Sequence, residues 1–145
     1  MDFVTFEMAM KLKEKGFREP CIYAYCKSGG WNMYRGIHEP ITYILRTDGN
    51  PFGSYYGGEN WNKKFETNKN KIQCSAPTIN EVLKWLRSKK LIIVINPEYF
   101  DVNGYCVDWS YDIWADDNYE HSFETYNTYE SATLAAIEHC LNNLI

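Results

Sequence analysis

Three segments of this chain repeat apolar side chains at helical spacing, and each is preceded by a threonine. The middle one is the clearest. Ile79, Val82, Leu83 and Leu86 recur at i, i+3, i+4 and i+7, which places them on one helical face. Thr78 and Glu81 ahead of them have the spacing of a capping box, in which each side chain satisfies the other residue's free N–H. The first segment follows Thr5, carries Met8, Ala9 and Leu12 on one stripe, and meets a helix-stopping glycine at Gly16. The third follows Thr128 and lines up Tyr129, Ala132, Ala136, Ile137, Cys140, Leu141 and Leu144.

Between the helices the pattern changes to that of strands. Ile22–Cys26 and Ile41–Leu45 are short β-branched and aromatic runs, and Leu91–Ile95 is a continuous apolar run ended by Asn96-Pro97. Tyr105–Trp114 alternates with a period of two. Tyr105, Val107, Trp109, Tyr111 and Ile113 fall on one side, and Cys106, Asp108, Ser110, Asp112 and Trp114 on the other. Asn103-Gly104 supplies a turn between these two strands, and Ser122–Thr125 reads as one more short strand. The expectation is one α+β domain over residues 1–145. It has a mostly antiparallel sheet of about five strands with three helices packed on it, in the order α-β-β-α-β-β-β-α.

Charge divides the chain into three. Residues 1–62 carry seven basic and seven acidic side chains, residues 63–90 eight against two, and residues 91–145 none against ten. A net charge of −4 therefore hides a basic middle and an acidic final third, an asymmetry suited to electrostatic docking. No apolar run approaches the roughly 18–20 residues that cross a bilayer. The opening Met1-Asp2-Phe3 has no basic segment ahead of an apolar one, so no secretory signal is read. Five cysteines, none in a C-x-x-C pair, fit reduced thiols in a cytoplasmic protein.

Residues 28–71 are rich in Gly, Asn and aromatic side chains and poor in aliphatic ones. A long irregular segment of this kind is expected to be a binding surface, with Trp31, Tyr34, Tyr55, Tyr56 and Trp61 as the candidate contacts for a protein or small ligand. The plainer reading is a decorated hairpin over a sheet edge. A second candidate surface is basic. Lys84, Arg87, Lys89 and Lys90 follow the second helical face, with Lys63 and Lys64 upstream, a pattern able to meet nucleic-acid phosphates. Pairing of these cations with the chain's own acidic hairpin, or with that of a second copy, is the preferred alternative.

Motifs for catalysis are absent: there is no P-loop, no G-x-G-x-x-G and no G-x-S-x-G. Asp116-Asp117-Asn118-Tyr119-Glu120-His121 offers oxygen and imidazole ligands but lacks calcium-loop spacing, and reads as a solvated turn. No catalytic residue, metal or cofactor is assigned.

The stretches Thr5-Phe6-Glu7-Met8-Ala9 through Lys15-Gly16-Phe17, Cys74-Ser75-Ala76-Pro77-Thr78-Ile79 through Val82-Leu83-Lys84-Trp85-Leu86-Arg87, and Thr128-Tyr129-Glu130-Ser131-Ala132 through Ala136-Ile137 together carry a resemblance. They are similar to a group of small uncharacterised proteins encoded by gut Bacteroidales and their phages and mobile elements. The resemblance covers the helices and neither 28–71 nor 96–127. It implies an intracellular accessory protein and no catalytic residues. The expected function is a non-enzymatic interaction module, able to dimerise, with nucleic-acid binding as the alternative.

Overall fold

A computed structural model of the chain describes residues 2–21, 23–26, 40, 41, 62 and 72–145. Trp31, Tyr34, Tyr55, Tyr56, Trp61, Lys63 and Lys64, and with them nearly all of the 28–71 segment, lie outside the described residues. The chain is α+β, with antiparallel sheets as expected. It forms two compact units, Met1–Thr78 and Ile79–Ile145.

In the first unit, helix α1 (Phe6–Glu14) begins where Thr5 accepts the Met8 N–H at 3.2 Å. It stops because Gly16 takes a left-handed φ of +87°, which only glycine adopts at no steric cost. The reversal lets the Phe17 N–H return to the Leu12 carbonyl at 2.8 Å and buries the Phe17 ring with Met8, Ala9 and Leu12. Strands β1 (Ala24–Cys26), β2 (Pro40–Ile41) and β3 (Ile72–Ser75) form an antiparallel sheet in the order β2-β1-β3, with Tyr25 opposite Cys74. The sequence pattern had no strand at 72–75, because Ile72-Gln73-Cys74-Ser75 holds one β-branched residue and is too mixed to signal one. An isolated bridge joins Phe3 to Thr78, the Val4 N–H bonds to the Pro77 carbonyl at 3.2 Å, and the buried Tyr25 hydroxyl donates to the Val4 carbonyl at 2.6 Å. Burial, then the nearby Cys74 and Glu7, push that phenol up to about 12.

The second unit opens with helix α2 (Ile79–Ser88), directly after Thr78. It buries Val82, Trp85 and Leu86, so Trp85 joins the expected face and Leu83 is only half-buried. Lys90 holds a left-handed φ of +63° and the Leu91 N–H reaches back to the Leu86 carbonyl at 3.0 Å, turning the chain into the sheet. Strands β4 (Ile92–Phe100), β5 (Cys106–Ala115) and β6 (Asn118–His121) are antiparallel in the order β4-β5-β6. The β4–β5 turn is fixed by Asp101, whose Oδ1 accepts the Asn103 and Tyr105 N–H groups at 2.8 and 3.0 Å, and by Gly104 at φ +82°.

The last strand lies earlier than the 122–125 expected, at 118–121. Ala115 pairs with Asn118, so Asp116-Asp117 alone makes the turn and leaves no room for a longer loop. Helix α3 (Tyr129–Asn143) packs on β5 and β4, and α2 packs on α3 and β4. Thr128 caps α3 in a reciprocal box with Ser131: Thr128 Oγ1 accepts the Ser131 N–H at 3.0 Å, and Ser131 Oγ accepts the Thr128 N–H at 3.2 Å. The α3 core face is Ala132, Ala136, Ile137, Cys140 and Leu141, joined by Thr133.

Candidate functional site

Strand alternation sorts the later side chains of β5 as expected, whereas Val107 and the preceding Tyr105, on the expected core side, are exposed and Ser110, on the other, is buried. Tyr111 and Ile113 are buried, and Trp109 meets the α3 residue Tyr129 edge-on with ring centroids 5.4 Å apart. The alternate positions Asp112 and Trp114 point the other way. The same rule in β6 splits the cluster 116–121. Glu120 reaches His139 on α3, its carboxylate Oε2 hydrogen-bonded to Nε2, while Tyr119 and His121 turn to Asp112. Residues that are neighbours in sequence therefore do not converge on one point. Among the described residues no group of three or more His, Cys, Asp or Glu could hold a metal ion.

Asp112 is the centre of a network on the face turned away from α3. Its carboxylate accepts from Asn96 Nδ2 at 2.8 Å and from the Tyr119 hydroxyl at 3.0 Å, and lies 2.5 Å from His121 Nδ1. Desolvation pushes this carboxyl up, but the three hydrogen bonds and the imidazole outweigh it and hold it below the usual carboxylate range. Two residues earlier on β5 the Ser110 hydroxyl donates to the Glu98 carboxylate of the neighbouring strand β4.

Apolar side chains flank this network. Ile92, Val94, Trp114 and Tyr119 are all exposed, and the Trp114 and Tyr119 rings pack with centroids 4.5 Å apart. Beyond them the β4–β5 hairpin carries Tyr99, Phe100, Val102 and Tyr105 at its end, with Tyr105 71% and Tyr99 62% exposed. Eight large apolar side chains exposed along one hairpin and its sheet are far more than the isolated exposures of an ordinary surface.

A cleft of ≈ 590 Å³ opens at the β6 side of the same sheet, bounded by Tyr111, Glu120, Phe123, Tyr126 and His139. Tyr111 and Tyr126 stack with centroids 6.0 Å apart. Burial, then the charge and hydrogen bond of Tyr126 and the nearby Cys140 and Glu120, push the Tyr111 phenol up to about 12, so it stays protonated.

The basic candidates of the second helix are all exposed. Lys90 forms an ion pair with Asp116 at 3.4 Å, and Lys89 lies 5.6 Å from the Trp85 ring centroid. One cation of the basic stretch thus meets the acidic hairpin of its own unit. The sequence reading missed the cleft because Tyr111, Glu120 and His139 come from three elements far apart in the chain. The one signal was the alternation of 105–114, which separates the cleft-facing Tyr111 from Asp112. Comparison with protein-family models, with curated proteins and with solved structures finds no match. No helix among the described residues is long and apolar enough to cross a membrane.

Proposed function

We propose that this chain is a non-enzymatic protein-interaction module. The acidic, aromatic hairpin of its second unit docks a basic and partly apolar protein surface in the cytoplasm. The observation that carries the reading is the exposure of Tyr99, Phe100, Val102 and Tyr105 together at one hairpin end, continued by Ile92, Val94, Trp114 and Tyr119 along the sheet. Charge supports the same partner. Residues 91–145 carry ten carboxylates and no lysine or arginine, so a basic surface is attracted and an acidic one repelled. An accessory role fits the resemblance of the helical segments, and a second copy of the chain is one partner able to supply both basic and apolar groups.

The test is affinity capture by the full chain from host lysate at low and high salt, beside the triple variant Tyr99→Ser/Phe100→Ser/Tyr105→Ser. A protein held at low salt, released at high salt and lost by the variant supports the reading. Capture that the variant retains, or an empty eluate at both salts together with a monomer in light scattering, overturns it.

Nucleic-acid binding through Lys84, Arg87, Lys89 and Lys90 is the second reading, favoured by the exposure of all four side chains. Retention on heparin that Lys84→Glu/Arg87→Glu abolishes would raise it above the first.

A further inference from the structure

The cleft beside β6 has a chemistry that the hairpin reading leaves unused. Its volume of ≈ 590 Å³ lies in the range of small-ligand sites. The stacked rings of Tyr111 and Tyr126 stand at it, and Tyr119 and Phe123 are also among its lining residues. Two carboxylates, Glu120 and Glu124, stand among them, and among the described residues no lysine or arginine lines it. Ring faces carry the negative end of the aromatic quadrupole, so walls and carboxylates act in the same direction on a charged guest. An anion would be repelled. A neutral apolar guest would have to bury against carboxylates that gain nothing from it.

The remaining polar groups are already committed. Ser122 Oγ accepts the Tyr111 N–H at 3.0 Å and donates to the Glu124 carbonyl at 3.0 Å. His139 holds the Glu120 carboxylate through Nε2, and Nδ1 of His121 is turned to Asp112. Glu120 is thereby fixed in place with acceptor capacity to spare, since a carboxylate offers about four lone-pair sites. A bare metal ion is a poor guest, because the nearby carboxylates and imidazoles do not gather into a ligand set.

We infer that the cleft binds a monovalent organic cation, the guanidinium of an arginine side chain presented by a protein partner. The planar guanidinium stacks on a tyrosine ring and donates to Glu120 and Glu124 from its edge. Tyr119 belongs both to the cleft and to the exposed sheet face, so an arginine at the border of a docked surface reaches the cleft without leaving the interface. The choice of a protein side chain as the source rests on the interaction reading. The cation preference rests on the cleft alone.

The experiment is an NMR titration of the ¹⁵N-labelled full chain with N-acetyl-arginine-methylamide, its citrulline counterpart, and ethylguanidinium. The arginine probe should give saturable shifts at residues 119–126 and 139, with a dissociation constant of about 1 mM. The neutral citrulline probe should bind about tenfold more weakly. Glu124→Gln, at an exposed position, should weaken the arginine probe about three- to tenfold, and Glu120→Gln, which keeps an acceptor for His139, should do the same. Absence of saturation, equal binding of citrulline, or shifts elsewhere overturns the proposal. Binding of ethylguanidinium without the capped arginine overturns the protein source. The hairpin variant Tyr99→Ser/Phe100→Ser/Tyr105→Ser should bind the arginine probe as the natural chain does, so failure of hairpin docking and failure of the cleft are told apart.

Discussion

Asn62 donates from Nδ2 to the Phe17 carbonyl at 2.7 Å, joining two residues 45 positions apart in the middle of the first unit. Its Oδ1 accepts the Ser75 N–H at 2.9 Å, and the side chain is 1% exposed. One amide thus ties the turn after α1 to strand β3. The residue closes the run Tyr55-Tyr56-Gly57-Gly58-Glu59-Asn60-Trp61-Asn62, which by composition reads as a surface. Asn62→Leu keeps much of the volume but orphans a buried carbonyl and a buried N–H. A loss of about 2–4 kcal/mol is expected in urea denaturation, and a loss below the error of the fit would contradict the role.

Buried thiols should be inert. Desolvation pushes Cys74 up to about 12 against a partly opposing Lys13, and pushes Cys140 up to about 12 with help from Glu120. Iodoacetamide at pH 8, read by peptide mass spectrometry, should leave both unmodified until denaturant is added. Alkylation of either in the native chain at the rate of a free thiol would contradict the burial.

The same two thiols set an alkaline limit. Their ordinary value of 9.0 is raised in the fold, so the unfolded chain releases protons that the folded chain keeps. Their stabilising contribution is complete below pH 9 and is lost as pH rises from there towards 12. Cys74→Ala/Cys140→Ala should flatten the fall of thermal midpoint above pH 9, even if it lowers the midpoint at neutral pH. An unchanged slope would argue against the assignment.

Asp112 acts at the other end of the scale. Its carboxyl is depressed in the fold, so its contribution is present above the ordinary value of 3.8 and is lost as pH falls through the lower folded value. Asp112→Asn should cost about 1–3 kcal/mol at neutral pH and make stability less sensitive to acid. Urea midpoints taken down to pH 3 decide this, and a variant with the acid limb of the natural chain would rule it out.

Thr128→Ala removes the oxygen that accepts the Ser131 N–H at the start of α3 and should cost about 1 kcal/mol. Tyr99→Ser/Phe100→Ser/Tyr105→Ser, at exposed positions, should stay within about 0.5 kcal/mol per substitution. Chemical denaturation of the two side by side separates a structural threonine from a surface kept apolar for another reason.

Much of the fold was legible because periodicity reports burial. The three threonine-led helices and the alternation over Tyr111–Trp114 follow from which side chains avoid water, and the Asn103-Gly104 turn from the freedom of Gly104 at positive φ. Strand β3 was not legible, since Ile72–Ser75 is held by pairing with Tyr25 and by the Asn62 amide rather than by its own pattern. The β6 boundary moved because the two-residue turn at Asp116-Asp117 contains no glycine to signal it. The cleft was illegible for a different reason. Glu120 and His139 are 19 positions apart, and only the packing of α3 on the sheet makes them partners.

The bridge between Phe3 and Thr78 sets residues near the start and at the end of one compact unit side by side. A unit whose ends touch can be lifted out, duplicated or inserted into a loop of an unrelated protein with a short linker, because little entropy is needed to close it. The chain thus leaves the first unit beside the point where it entered it, and the boundary at Thr78 coincides with that closure.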